Sequence, residues 1–378
     1  MLKSPSRWLA LFGLLLAFAL VVASCGNDDD DGAAPEPTAE DTAPEPTASE
    51  PDATEPTADV VRIQDGGVLE AVQNRGRVLC GSRDDLPGFA AVNPDGTYEG
   101  FDVDMCRVVA AAVLGDADAV EIVPVTSAER FTALQTGQFD VMIRNTTWTA
   151  TRDGSESANF LFTTYFDGQG IMVPASSGLT ELADLADANI CVSSGTTTEL
   201  NLTAVFNARG IPFTPITFEG FDTLVPAYGE GQCEAMTADS SALGVFKLEI
   251  EQSGGDEQHI MTEVFSKEPL GPVVLDGDTQ WAQVVNWAIM ATVQAWEFGL
   301  DSSNINSYSG SDPNILNFLG NDNFDPGLGL PSDFAVQVVS QVGNYEEIFN
   351  RHPQLGTLSG SVNDLWTNGG LMYVPPYR

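Results

Sequence analysis

Residues 139–153 read FDVMIRNTTWTATRD. The stretch from Phe139 to Asn145 has the apolar, β-branched character of a strand, and it runs directly into amide and hydroxyl side chains at Asn145, Thr146 and Thr147. Arg152 follows five residues beyond Thr147. Polar residues that follow a strand lie at its carboxyl end, the edge at which open α/β sheets bind ligands. A guanidinium offers a planar, two-pronged match to a carboxylate. The competing reading of Arg152 is a surface residue paired with Asp153.

Outward from this stretch, short apolar runs alternate with segments of helical periodicity. Strand-like runs are VLCG, VEIVPV, FDVMIRN, GIMVP, NICVSS, FTPITF and CEAMTA. Helical stretches fall at 102–114, 127–136, 198–209, 221–229 and 240–251. In the first of these, Phe101, Met105, Val108 and Ala112 share one face. Asn93-Pro94-Asp95-Gly96 predicts a tight turn and a hairpin. Thr279 to Phe298 is a long amphipathic segment with Trp281, Val284, Val285, Ala288, Thr292 and Ala295 on one stripe, read as core. Beyond Asp301 the pattern turns loop-rich, with two or three further helices. Such alternation predicts an α/β fold of parallel sheets covered by helices.

Two more strand ends carry polar chemistry. In VSSGTTTEL (192–200), Thr196 and Glu199 have capping-box spacing, so a helix begins just after Gly195 and its free N–H groups can hold an anion, or simply form a well-capped start. In TADSSAL (237–243), Asp239 can face an ammonium group or cap the next helix. An arginine fork, a helix N-terminus and a carboxylate, all at strand ends, are together what an α-amino acid zwitterion requires.

Composition excludes other classes. The 378 residues hold 54 acidic and 15 basic side chains, a formal charge of −39, which argues against nucleic-acid binding. Two histidines leave little for a metal cage or a Ser-His-Asp relay, and both His259 and His352 read as surface residues. No G-x-S-x-G elbow, P-loop, G-x-G-x-x-G or H-E-x-x-H is present. Asn321-Asp322-Asn323-Phe324-Asp325 has a calcium-loop rhythm, but Pro326 replaces the required glycine. Neither a metal nor another cofactor is expected.

The N-terminus has a basic start, fifteen apolar residues from Trp8 to Val22, and then Ala23-Ser24-Cys25. This is an export signal, too short for a stable span of about 20 residues. The ending Val22-Ala23-Ser24-Cys25 resembles a bacterial lipobox, which implies cleavage before Cys25 and lipidation of its thiol; the alternative is an ordinary signal peptide with a chance cysteine. Residues 27–59 carry twelve acids, six prolines, no Lys or Arg, and EPTA at 36–39, 45–48 and 55–58. That composition predicts a disordered, extended tether reaching at most about 100 Å. Residues 60–378 keep 42 acids and 13 bases, a charge of −29. Beyond Cys25 stand Cys80, Cys106, Cys191 and Cys233, with three pairings open. Cys80–Cys106 (strand end to following helix) and Cys191–Cys233 (strand to strand) are favoured; four buried free thiols are the alternative.

VLCGSRDDLPGF, YEGFDVDMCRVVAAAVLGD, RFTALQTGQFDVMIRNTTWTATRD, GTTTELNL, FSKEPLGPVV, GNYEEIF and NGGLMYVPPYR resemble the general L-amino-acid-binding proteins of polar amino-acid ABC transporters (extracellular solute-binding protein family 3) over residues 66 to 378. The resemblance implies a type II periplasmic-binding-protein fold: two α/β lobes joined by two crossing strands near Asp167–Gly170 and Glu268–Pro272. Lobe 1 would comprise 60–167 and 271–378 and lobe 2 residues 168–270, after a lipoprotein signal peptide (1–24) and a tether (25–59). It further implies that Arg152 clamps the ligand carboxylate, that Thr147, Asn145, Thr197 and Thr196 add hydrogen bonds, and that Asp239 takes the α-ammonium. Arg83, Leu86 and Phe89, with Trp148, are candidates for the side-chain end of the pocket. Arg83-Asp84-Asp85 departs from the small residues usual before LPGF. The function implied is that of a monomeric, lipid-anchored receptor on the outer face of the cytoplasmic membrane. It would capture L-amino acids of broad range between closing lobes and deliver them to an ABC permease. A cyclohexadienyl/arogenate dehydratase-like enzyme on the same fold is the alternative, for which no catalytic signature is found.

Overall fold

The computed structural model describes residues 67–321 and 324–377. The signal peptide, the tether, Cys25, and Asp322 and Asn323 of the calcium-like rhythm lie outside them. Two five-stranded sheets form the body. The first runs, in spatial order, Val120–Pro124, Val78–Ser82, Val141–Met142, Val273–Leu275 and Ala158–Phe160. The second runs Phe213–Phe218, Ala188–Ser193, Ala235–Asp239, Gln169–Pro174 and Gln258–Ile260. Each is the core of one lobe, and the two share one plan: three parallel strands, then one antiparallel, then the edge strand.

The antiparallel strands correct the expectation of purely parallel sheets, and their place explains them. Gln169–Pro174 follows the first passage between lobes and Val273–Leu275 the second. A chain that enters a lobe at the edge where its parallel strands end must run against them. The passages are the paired strands Tyr165–Asp167 and Glu268–Leu270, so the first lies slightly ahead of the expected Asp167–Gly170.

Helix Phe101–Leu114 begins at Gly100, whose φ of 133° puts the absent Cβ 2.1 Å from the Phe89 carbonyl oxygen, so no other residue fits. It ends on Gly115 in the left-handed conformation. Burial extends well beyond the expected face, because the tail helix Phe334–Gln341 and helix Thr279–Glu297 both pack against it. Helix Thr279–Glu297 is capped by Asp278, and its predicted stripe is buried. The Trp281 indole N–H donates to the Asp140 carbonyl (2.8 Å). The hairpin at 93–96 joins Ala90–Val92 to Tyr98–Glu99.

The tail holds helices Pro313–Phe318, Phe334–Gln341 and Tyr345–Asn350 and returns to the passage between lobes. Asn363 accepts the Phe166 N–H (2.7 Å) and donates to the Phe166 carbonyl (3.1 Å), while the Tyr165 hydroxyl donates to the Leu355 carbonyl (3.1 Å). His352 is buried, against its reading as a surface residue, because its Nε2 bonds the Asp104 carboxylate (2.8 Å) that Arg351 also reaches. Cys80 is bonded to Cys106, and Cys191 to Cys233. Among the described residues no helix is long and apolar enough to cross a membrane, and no cluster of potential metal ligands occurs.

Candidate functional site

The carboxyl ends of the parallel strands in both sheets face one another across a narrow cavity between the lobes. Arg152 sits on the short helix Ala150–Ser155, whose cap Thr149 accepts the Arg152 backbone N–H (3.2 Å). Its side chain is buried, lines the cavity and donates from Nη1 to the Thr147 carbonyl (2.9 Å). It does not pair with Asp153, whose carboxylate instead accepts the Phe160 N–H (3.5 Å), so the surface-pair alternative is not realised. Burial lowers the Arg152 pKa, and Glu268, Asp239 and Glu156 work against that shift.

From lobe 2, Thr196 caps helix Thr197–Arg209 by accepting the Glu199 N–H (3.1 Å). The capping box is only half formed: the Glu199 carboxylate takes the Gly195 N–H (2.9 Å) rather than that of Thr196. Thr197 donates its hydroxyl to Glu268 (2.9 Å), leaving its oxygen to accept from Thr147 at 3.3 Å across the cleft. Glu268 also accepts from Asn201 (2.9 Å) and Ser266 (2.5 Å), so both of its oxygens are hydrogen-bonded.

Asp239 stands at the cap position of helix Ser240–Gln252, yet its carboxylate makes no capping bond; it is buried and lines the cavity. Burial, reinforced by Asp167 and Glu268, pushes it well above the ordinary carboxylate range, against the pull of Arg83 and Arg152.

Asn145 has a φ of 35°, an uncommon conformation for a residue with a side chain. Its backbone N–H donates to Asp102 (2.6 Å) and its side-chain amide oxygen Oδ1 accepts from Arg83 Nη1 (3.1 Å). Arg83, Asn145, Thr147, Arg152, Thr196, Thr197 and Asp239 therefore share one cavity. Leu86 and Phe89 do not reach it: both are fully buried in the lobe 1 core, where the Phe89 ring meets Phe101 and Tyr165 edge to face. Trp148 turns outward and stacks on Phe160. Arg130, Arg144, Ser193 and Phe221 line the cavity without having been singled out in the sequence. Arg144, a cation directly after the apolar run Val141–Ile143, was a signal that could have been read; Arg130, at the start of an ordinary amphipathic helix, was not.

Two α/β lobes joined by a pair of crossing strands, with charged and polar groups facing each other from strand ends, define a receptor of the type II periplasmic-binding-protein class. A solved Brucella ovis structure described as an ABC transporter/periplasmic binding protein with glutathione bound matches with a TM-score of 0.76 and 38% identity over 82% of this chain and 99% of that one. The general L-amino acid-binding periplasmic protein AapJ of Rhizobium johnstonii is 43% identical over 82% of this chain and 92% of its own length. The profile of bacterial extracellular solute-binding proteins, family 3, matches residues 78–298, and the chain belongs to that family.

Proposed function

We propose that this chain is an exported receptor that captures L-amino acids between its lobes and delivers them to an ABC permease. The observation that carries this reading is the convergence of Arg152 and Asp239, a buried guanidinium and a buried carboxylate from opposite lobes, on one cavity of strand ends. In this reading Arg152 holds the α-carboxylate and Asp239 the α-ammonium, while Thr147, Asn145, Thr196 and Thr197 contribute hydrogen bonds from the two lobes. Residues 60–167 with 271–378 act as one rigid lobe and 168–270 as the other, closing by hinge motion at the strand pair. The names of the Rhizobium and Brucella relatives support an amino-acid or amino-acid-derived ligand and an ABC transporter as partner.

Calorimetric titration of the full chain with the twenty common amino acids tests the reading; heat with one or more supports it, and heat with none overturns it. The protein works as a monomer, anchored through lipid on Cys25. Anchoring predicts that the native protein sediments with membranes and that Cys25→Ala releases it; a wild-type protein recovered soluble without detergent removes the anchor.

A further inference from the structure

Each of the two crossing strands carries an acid at the same level of their ladder: Glu268 on the second stands directly opposite Asp167 on the first. Residues opposite one another in an antiparallel pair face the same way, and like charges so placed repel. Glu268 is 1% exposed, and among the described residues its bonded side-chain partners, Thr197, Asn201 and Ser266, are all neutral. A buried carboxylate with no bonded cation and a second carboxylate beside it is a costly way to build a hinge. A glutamine or an apolar side chain would join the lobes at lower cost.

What the carboxylate adds is direction. It has lone pairs and no proton, so every hydrogen bond runs towards it. Thr197 therefore gives its single hydroxyl proton to Glu268 (2.9 Å). Its oxygen can then only accept, which makes Thr147 the donor across the cleft (3.3 Å). The same strand also grips the other end of that bond. The Trp148 N–H donates to the Pro269 carbonyl (2.9 Å), the Gly271 N–H to the Thr146 carbonyl (3.3 Å), and Thr147 bridges to Leu270. The second crossing strand thus holds Thr147 of lobe 1 by its main chain and Thr197 of lobe 2 by the Glu268 side chain. The side chain of Asp167 serves lobe 2 alone, accepting from Gly168 (2.8 Å) and from Ser241. Glu268 does not itself line the cavity, and it acts on Arg152 only through its field.

We propose that Glu268 is a positioning residue for ligand capture, orienting the Thr197 hydroxyl so that the Thr147–Thr197 bond fastens the lobes over the bound molecule. This inference rests on capture of an amino acid between the lobes.

The test is stopped-flow and calorimetric titration with the tightest-binding of the twenty common amino acids. Four forms of the full chain are compared: wild type, Glu268→Gln, Thr197→Val and the double variant. Glutamine has one acceptor oxygen where the carboxylate has two, so it cannot serve Thr197 and the Asn201–Ser266 side together. In Glu268→Gln, release should be at least about tenfold faster while association changes less than about twofold. In the Thr197→Val background the same substitution should change release less than about threefold, the part left to the field at Arg152. An acid that merely stabilised the hinge would show the same loss in both backgrounds. That result, or an unchanged release rate in Glu268→Gln, overturns the proposal and leaves amino-acid capture standing. If Glu268→Gln does not fold, Ser266→Ala takes its place, since it frees the carboxylate to turn away from Thr197. Release should then be about threefold faster, and unchanged in the Thr197→Val background; no effect, or an equal effect in both, counts against the proposal in the same way. Absence of binding by every amino acid to the wild-type chain defeats the capture reading itself, and this inference with it.

Discussion

At the scale of single residues, the site depends on charges held out of water. If Arg152 holds the ligand carboxylate as proposed, Arg152→Ala leaves that carboxylate unpaired and should cost about 2–5 kcal/mol of binding. Calorimetry with the tightest-binding amino acid reads the loss, and unchanged affinity would take Arg152 out of the site. Asp239 gives a second prediction through pH. Its carboxyl is held above the ordinary range in the free protein by burial first and then by repulsion from Asp167 and Glu268, which Arg83 and Arg152 only partly offset. An ammonium bound there, as proposed, would favour the carboxylate and bring that value down. Between the bound and free values binding releases a proton, so affinity is full above the raised free value and falls as pH drops below it. Titration in buffers of different protonation enthalpy detects the released proton, and Asp239→Asn should abolish it. Most of this was legible in the chain because Asn145, Thr147, Thr197 and Asp239 each follow an apolar run within about five residues, and Arg152 follows Thr147 by five. Leu86 and Phe89 were not legible: an apolar side chain beside a loop looks the same whether it turns to the pocket or, as here, to the core. Arg130 needed the second lobe to bury it, and nothing local signals that.

At the scale of elements, the unusual Arg83-Asp84-Asp85 segment acquires a role. The Asp85 carboxylate in lobe 1 accepts the N–H of Phe221, the first residue of helix Phe221–Gly229 in lobe 2, at 2.7 Å. Arg83 bonds Asp85 and also lies over the Phe221 ring, 4.5 Å from its centre. Gly220 permits the approach, since a Cβ there would meet Asp85 at 3.0 Å. Although burial alone would raise it, Arg83, with the Phe221 N–H and Arg144, holds Asp85 down at about 2, so this clasp stays charged at any physiological pH. Asp85→Ala should therefore speed ligand release about tenfold, a change of about 1.4 kcal/mol. Association should change little, and stopped-flow fluorescence separates the two rates. The disulfides close loops of 26 and 42 residues. By the chain-entropy account each should stabilise the fold by about 3–4 kcal/mol, lost in urea unfolding when reductant is added. Helices and most strands could be read from the sequence because their periodicity is local. The strand within 139–145 could not be sized: it narrows to Val141–Met142, since pairing depends on neighbours distant in sequence. The direction of Gln169–Pro174 and Val273–Leu275 was hidden for the same reason, being set by where the chain crosses between lobes.

At the scale of the whole molecule, the −39 formal charge is spread over both parts of the chain, with −29 on residues 60–378. It speaks to solubility and environment rather than to the ligand, whose pocket uses a large share of the few cations the fold retains. The tail closes over helix Phe101–Leu114 and grips the first crossing strand through Asn363. The second sheet is built entirely from residues 169–260, an unbroken stretch, whereas the first waits for Val273–Leu275 to fill the gap between Val141–Met142 and Ala158–Phe160. In a chain that leaves the cell amino end first, the later-encoded lobe can finish before the earlier one. At ordinary synthesis rates the unfinished sheet stands open for roughly ten seconds. Pulsed hydrogen exchange during refolding should show amides of 188–239 protected ahead of those of 78–142, and the reverse order would refute it. Until then the first lobe's exposed strands are what an export chaperone would meet.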